Sequence, residues 1–288
     1  MATENEYISA ISRIFASADA SHESVIVGIG DDAAVLCAPA DPIVLTTDMA
    51  IEGNHFKREW SSLFEIGAKI TAANLADVYA MGGTPTHLLV AAAIPATFSV
   101  ADVEELALGI ADEAKKVGAI VVGGDLAMSP LLTISITALG SVQSKLTIKD
   151  ARVGDFVAVS ALPGASARGF KDLQNGVDSD DAKLHRRPIL DYAKYASTNH
   201  AHTHALCDIS DGLVSEAERI ARASEVRIEL FGKVLTTPEI LHGGEDHVLL
   251  GTFTEVPPGW ILVGSVSPGA GVWLDGKPIS HQGYVHFK

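Results

Sequence analysis

Residues 88–125 read LLVAAAIPATFSVADVEELALGIADEAKKVGAIVVGGD, and this stretch decides the fold class. Leu88–Ala93 is a short apolar run that stops at Pro95, the length of one buried strand. Ala101–Val117 repeats apolar residues at helical spacing, and Ala119–Val122 is a second strand running into Gly123-Gly124-Asp125. Working outward, Glu6–Phe15 and Ser62–Met81 read as helices, the latter stopped by Gly82-Gly83 and Pro85. Ser24–Ile29, Pro42–Thr47 and Leu131–Gly140 read as strands. Beyond a polar stretch at Thr147–Gly154, the same mixture resumes. Phe156–Ser160 and His247–Phe253 are strands, Leu213–Ser224 is an amphipathic helix, and Asp275-Gly276 signals a hairpin. Leu173–Asp181 and the run His200-Ala201-His202-Thr203-His204 read as loops, the first mobile and the second solvated. The expectation is a mixed α/β (α+β) protein of two domains, 1–148 and 149–288.

The 288 residues include 47% hydrophobic and 20% charged side chains, enough for a buried core in each half. Twenty-one basic against 36 acidic residues leave a net charge of −15. That excludes a broad nucleic-acid surface, which needs clustered Lys and Arg. No apolar run is long enough to span a bilayer and residues 1–20 carry no secretory pattern, so a cytoplasmic protein with no membrane partner is expected. Cys37 and Cys207 stand far apart and are expected to be reduced, buried thiols.

The aspartates recur beside glycines and strand ends. Asp31-Asp32 follows Gly28-Ile29-Gly30, Asp48 follows Thr46-Thr47, and Asp125 follows Gly123-Gly124. Asp208 and Asp211 bracket Ile209-Ser210 before Gly212, and Glu245-Asp246 follows Gly243-Gly244. Such positions hold short carboxylates rigidly at one sheet edge, where ligands bind in α/β folds. Within the long helix, Ile70, Asn74, Asp77 and Met81 share one stripe, so Asp77 faces inward and needs a partner. Converging carboxylates repel unless divalent cations lie between them, and an oxygen-rich, sulfur-free set suits magnesium. Other phosphate motifs fail. Gly271–Lys277 nearly spells a P-loop, but Pro278 stands where Ser or Thr is required, and Gly28-Ile29-Gly30 lacks the third glycine of a dinucleotide fingerprint.

These motifs, with Asn54-His55-Phe56, Asn74-Leu75-Ala76-Asp77, Met81-Gly82 and the aromatic end Gly283-Tyr284-Val285-His286-Phe287, resemble in order those of the thiamine-monophosphate kinases. The resemblance implies a PurM-like fold of two domains, with N-terminal sheets that pair in a homodimer. It implies ATP as co-substrate, thiamine monophosphate as acceptor and several magnesium ions. By matching position, Asp32, Thr46, Thr47, Asp48, Asp77, Asp125, Asp208 and Asp211 are the implied metal ligands, with Asp48, Asp125 and Asp211 the catalytic carboxylates. Gly124, Asp125, Ser210 and Lys149 are implied ATP contacts. His55, Glu245 and Tyr284 are implied contacts to thiamine monophosphate. Two departures stand out: Leu126-Ala127-Met128 replaces the family's Thr-Thr-Arg after Gly-Gly-Asp, and Lys149 stands in for a linker arginine. The alternatives are a relative such as aminoimidazole ribonucleotide synthetase, or a non-catalytic nucleotide or thiamine-phosphate binder. Selenophosphate synthetase is disfavoured because no Cys precedes Gly28.

The acceptor phosphate has a second pKa of about 6 and is mostly ionised at neutral pH. Direct transfer without a general base or phosphoenzyme is therefore expected, which agrees with the lack of any Ser-His-Asp or Cys-His pattern.

Overall fold

A computed structural model describes residues 3–19, 24–29, 33–198 and 200–282. The chain divides into two compact units: residues 1–78 with 83–143, and residues 79–82 with 144–288. The elements of the first unit are α1 (Glu4–Asp19), β1 (Val25–Val27), β2 (Val35–Leu36), β3 (Ile43–Ile51), α2 (Leu63–Ala80), β4 (Thr84–Ile94), α3 (Val100–Lys115), β5 (Ile120–Met128) and β6 (Thr133–Ser141). The last residues of α2 belong to the second unit.

Four strands of the first unit form a sheet in the order β3-β6-β4-β5, antiparallel except for the β4–β5 pair. Parallel neighbours need a crossover, and α3 supplies it. Ser99 starts that helix with a capping box: its hydroxyl accepts from Asp102 N (3.2 Å), and Asp102 Oδ2 accepts from Ser99 N (2.6 Å). Glycine lets α2 and α3 touch backbone to backbone, since a Cβ at Gly109 would lie 2.0 Å from Phe64 O. Ile134, Ile136 and Ala138 of β6 are fully buried on one face, whereas Leu45 and Met49 of β3 stand exposed on the other. Alternation along each strand produces this two-faced sheet.

The second unit holds β7 (Phe156–Val159), α4 (Ala165–Gln174), α5 (Asp180–Arg186), α6 (Tyr192–Ala196), β8 (Thr203–Asp208), α7 (Leu213–Ala223), β9 (Arg227–Leu230), α8 (Pro238–His242), β10 (Leu249–Phe253), β11 (Ile261–Ser267), β12 (Gly271–Leu274) and β13 (Lys277–Ile279). Its seven strands run in the order β13-β12-β9-β11-β7-β10-β8. The apolar stripe Leu213, Ala217 and Ile220 of α7 joins Val159, Cys207, Ile228 and Leu250 in one core. The near-P-loop segment is the β12–β13 hairpin, with Asp275 and Gly276 both at positive φ (47° and 78°), as a two-residue hairpin turn requires.

Two loop expectations and one cysteine expectation are corrected. Leu173–Asp181 is the tail of α4, a tight turn and the head of α5: Val177 N donates to Asp172 O (2.9 Å) and Ser179 caps α5 through Ala182 N. The turn has local hydrogen bonds for most of its polar groups, so its polarity does not mean mobility. His204 lies within β8, where its Nδ1 sits 2.9 Å from both carboxylate oxygens of the buried Asp155. Cys37 is exposed, whereas Cys207 is buried, which pushes its thiol pKa well up.

Candidate active site

In the first unit, β3 delivers Thr46, Thr47 and Asp48 from mid-strand, not from a strand end. The strand continues to Ile51 because every residue pairs with β6. Thr46 and Asp48 share one half-buried face, a step of about 7 Å apart. Thr46 Oγ1 donates to Asp77 Oδ2 across 2.7 Å, so the inward-facing acid of α2 meets β3. One turn earlier, Asn74 is fully buried. Its amide donates to Ile70 O (2.9 Å), while its Oδ1 has no partner among the described residues. Thr47 points the other way, donating to Ile136 O and accepting from Thr137 Oγ1, both at 3.1 Å.

Asp125 is also inside a strand. Gly123-Gly124 is not a turn: a Cβ at Gly124 would fall 1.9 Å from Val90 O, so glycine is present for close strand approach. Asp125 is exposed in the row of Ala91, Ser135 and Met49, so it shares the sheet face of Thr47 and points away from Asp48, whose row is the next one. Leu126–Met128 extends the same strand, so the departure from the family pattern is β structure. His55 follows β3 in a tight turn, where its Nδ1 accepts from Ile51 N (3.1 Å). In the neutral ring this leaves the proton on Nε2, which lies 3.4 Å from Asn54 Nδ2.

In the second unit two loops are joined backbone to backbone. Ile209 N donates to Val248 O (2.8 Å), His247 N to Ile209 O (3.0 Å) and Glu245 N to Ser210 O (2.7 Å). These bonds prolong the β8–β10 ladder past both strand ends and bring Asp208, Ser210 and Asp211 against Glu245 and Asp246. Glu245 and His247 adopt left-handed φ of 62° and 53°, a conformation that costs on the order of 1 kcal/mol each for non-glycine residues. Gly244 is obligatory, since its Cβ would meet Ser210 O at 2.3 Å. The buried Asp246 accepts from Gly164 N (2.7 Å) and Ser166 N (3.0 Å), tying the loop to the start of α4. Burial raises its pKa, and those two N–H groups oppose the rise. His247 Nδ1 lies 3.3 Å from Asp208 Oδ2, and Tyr195 Oη donates to His247 O at 3.1 Å.

Behind this frame, Glu216 of α7 is fully buried, and among the described residues Arg219 Nη1 (2.5 Å) is its ionic partner. Burial pushes its pKa up to about 7. Lys149 is an exposed side chain of the second unit, in a turn where its backbone N–H donates to Thr147 Oγ1 (3.1 Å). Asp32 and Tyr284 lie outside the described residues, as do Gly30, Asp31 and the rest of the aromatic end. Among the described residues no three His, Cys, Asp or Glu side chains cluster closely enough to hold a metal ion. The donor chemistry fits magnesium all the same. Thr46, Asp48 and Asp77 offer oxygen only, and Asn74, one turn before Asp77 on α2, has a buried Oδ1 with no partner among the described residues. Sequence reasoning missed Ser166, His185 and the clamp by Asp246, because nothing in local spacing links residues that far apart.

Residues 30–142 match the family described as AIR synthase related protein, N-terminal domain. The chain is similar to the thiamine-monophosphate kinase of Mycobacterium tuberculosis (strain ATCC 25618 / H37Rv), 35% identical over 278 residues, or 88% of this chain and 83% of the relative. The chain belongs to the thiamine-monophosphate kinase family. Among solved structures, the family member from Stenotrophomonas maltophilia K279a superposes with a TM-score of 0.85 at 27% identity, covering 94% of this chain and 97% of that one. AaThiL complexed with AMPPCP and TMP gives a TM-score of 0.79 at 29% identity, covering 99% and 97%. The fold is the two-domain, PurM-like fold of these kinases. No described helix is long and apolar enough to cross a membrane.

Proposed function

We propose that the chain transfers the γ-phosphoryl group of ATP to thiamine monophosphate, giving ADP and thiamine diphosphate. The observation that carries this is the hydrogen bond between Ser210 and Glu245. It ties a family nucleotide contact to a family acceptor contact, as direct transfer between two bound substrates requires.

The bond from Pγ to the ADP oxygen breaks as an oxygen of the acceptor phosphate bonds to Pγ in line. That oxygen is already ionised at neutral pH, so no residue has to remove a proton. Thr46, Asp48 and Asp77 would hold magnesium on one face of the first unit's sheet and Thr47 and Asp125 on the other, with Asp32, Asp208 and Asp211 completing the ligand set. When bound it neutralises phosphate charge and so lets two anions approach. Gly124, Asp125, Ser210 and Lys149 contact the nucleotide. Lys149 does so as a point charge, without the bidentate grip of an arginine. His55 offers its Nε2–H to an acceptor anion, Glu245 faces the cationic thiazolium, and Tyr284 stacks on an aromatic ring of thiamine. The protein acts in the cytoplasm as a homodimer paired through the exposed face of its four-stranded sheet, where Leu45 and Met49 stand 65% and 56% exposed.

The test is direct: purified protein, ATP, magnesium and thiamine monophosphate, with thiamine diphosphate measured by chromatography. Tight ligand binding without product would favour a binding protein instead.

A further inference from the structure

Glu245 is not the end of its own network. Helix α5 is registered on α4 by backbone contact, since a Cβ at Gly169 would lie 2.0 Å from Asp181 O. The fork of Arg168 on Asp181 (Nε–Oδ2 2.6 Å, Nη2–Oδ1 3.3 Å) fixes the same pair. This registration buries His185 of α5 against Phe170, ring centroids 5.5 Å apart. His185 Nδ1 then lies 2.9 Å from Ser166 Oγ and 3.9 Å from Glu245 Oε2. Ser166 is the residue whose backbone N–H is taken by Asp246. Two adjacent loop carboxylates are therefore approached from one side: Asp246 is hydrogen-bonded to the Ser166 backbone, and Glu245 lies 3.9 Å from the imidazole that the Ser166 hydroxyl holds.

We propose that His185, oriented by Ser166, is a positioning residue that fixes the Glu245 carboxylate for the cationic half of the acceptor. The proposal rests on the kinase reading above. Glu245 occupies a left-handed backbone conformation, and its side chain is one-third exposed. Without a wall behind it, such a carboxylate samples rotamers that turn it away from a bound cation. His185 supplies that wall together with a dipole, and it contacts neither the transferring phosphoryl group nor the nucleotide by this assignment. Its loss should therefore weaken acceptor binding while sparing the ATP side.

The experiment compares the unaltered protein with His185→Ala, His185→Gln and Ser166→Ala, each also combined with Glu245→Gln, and reads KM for both substrates and kcat. His185→Ala should raise the acceptor KM by about tenfold, with kcat and the ATP KM within about twofold. His185→Gln, which can still bond the Ser166 hydroxyl, should recover most of the loss. Ser166→Ala removes only a hydroxyl and should give the same split at about threefold, so the test survives if His185→Ala does not fold. In the Glu245→Gln background the His185 effect should vanish. An acceptor KM that rises equally in both backgrounds, a parallel rise in the ATP KM, or an unchanged KM in Ser166→Ala overturns the proposal. A lack of thiamine diphosphate synthesis by the unaltered protein overturns the proposed function, and this inference with it.

Discussion

Thr46 Oγ1 and Asp77 Oδ2 stand 2.7 Å apart, joining the second acidic helix position to mid-strand β3. Asparagine at 77 would still accept that hydrogen bond through its amide oxygen, so the helix should stay docked. Asp77→Asn and Asp48→Asn should therefore cut turnover by about a hundredfold or more while shifting Tm little, because they remove charge and not shape. The magnesium concentration for half-maximal rate should also rise. Near-normal rates and magnesium dependence in both variants would remove these residues from the metal set.

Asp246 satisfies two buried N–H groups, those of Gly164 and Ser166. Truncation to alanine leaves both without an acceptor, which costs roughly 2–4 kcal/mol for two neutral donors. Urea unfolding of Asp246→Ala should show a loss of that order with an unchanged m-value. A loss below about 1 kcal/mol would mean that other acceptors take over.

Gly244→Ala should damage the acceptor side specifically. The added Cβ would lie 2.3 Å from the Ser210 carbonyl, a backbone atom that cannot swing aside. The bond from Glu245 N to Ser210 O must then lengthen, and the acceptor KM should rise by about tenfold or more. Isothermal titration with thiamine monophosphate reads this directly, and unaltered affinity would count against the assigned role of Glu245.

The alternation of strands and helices was legible because residues 88–125 carry two periodicities in succession, and α3 and the flanking strands follow them. The settings of the carboxylates were not legible. Asp125 reads as a turn residue after two glycines, yet the glycines serve a strand contact with Val90 that only tertiary structure reveals. His204 reads as loop because neighbouring histidines are polar, and its partner Asp155 is remote in sequence. The approach of His185 to Glu245 depends on how α5 sits on α4, and no local pattern encodes that.

Glu216 sets a pH dependence whose sign is fixed. Its folded pKa, about 7, lies above its ordinary value of 4.5, chiefly through burial, with Arg219 opposing. Between about pH 4.5 and 7 the folded state holds the proton more tightly than the unfolded state, so this group's contribution to stability declines as pH rises. Above pH 7 the decline is complete, and the slope within the window cannot exceed about 1.4 kcal/mol per pH unit. Glu216→Gln should flatten that part of the profile and gain relative stability at pH 8. Identical slopes for the two proteins, from thermal unfolding at pH 5, 6, 7 and 8, would show that Glu216 titrates normally.

The exposed sheet face makes a prediction about assembly. Leu45 and Met49 project from β3 beside Thr47, and Leu89 of β4 is 38% exposed in the row of Thr47 and Thr137. Three apolar side chains on one open strand face are costly in water, at about 25 cal/mol per Å² of apolar surface left exposed. Pairing two such faces removes that surface in both copies at once. Leu45→Asp with Met49→Lys would bury a charge in any such pairing and should turn a dimer into a monomer at micromolar concentration. Light scattering after gel filtration measures the mass. The sheet's other face, packed by Ile134, Ile136 and Ala138, is untouched, so the monomer should stay folded by circular dichroism. A variant that keeps the dimer mass would move the interface away from this sheet.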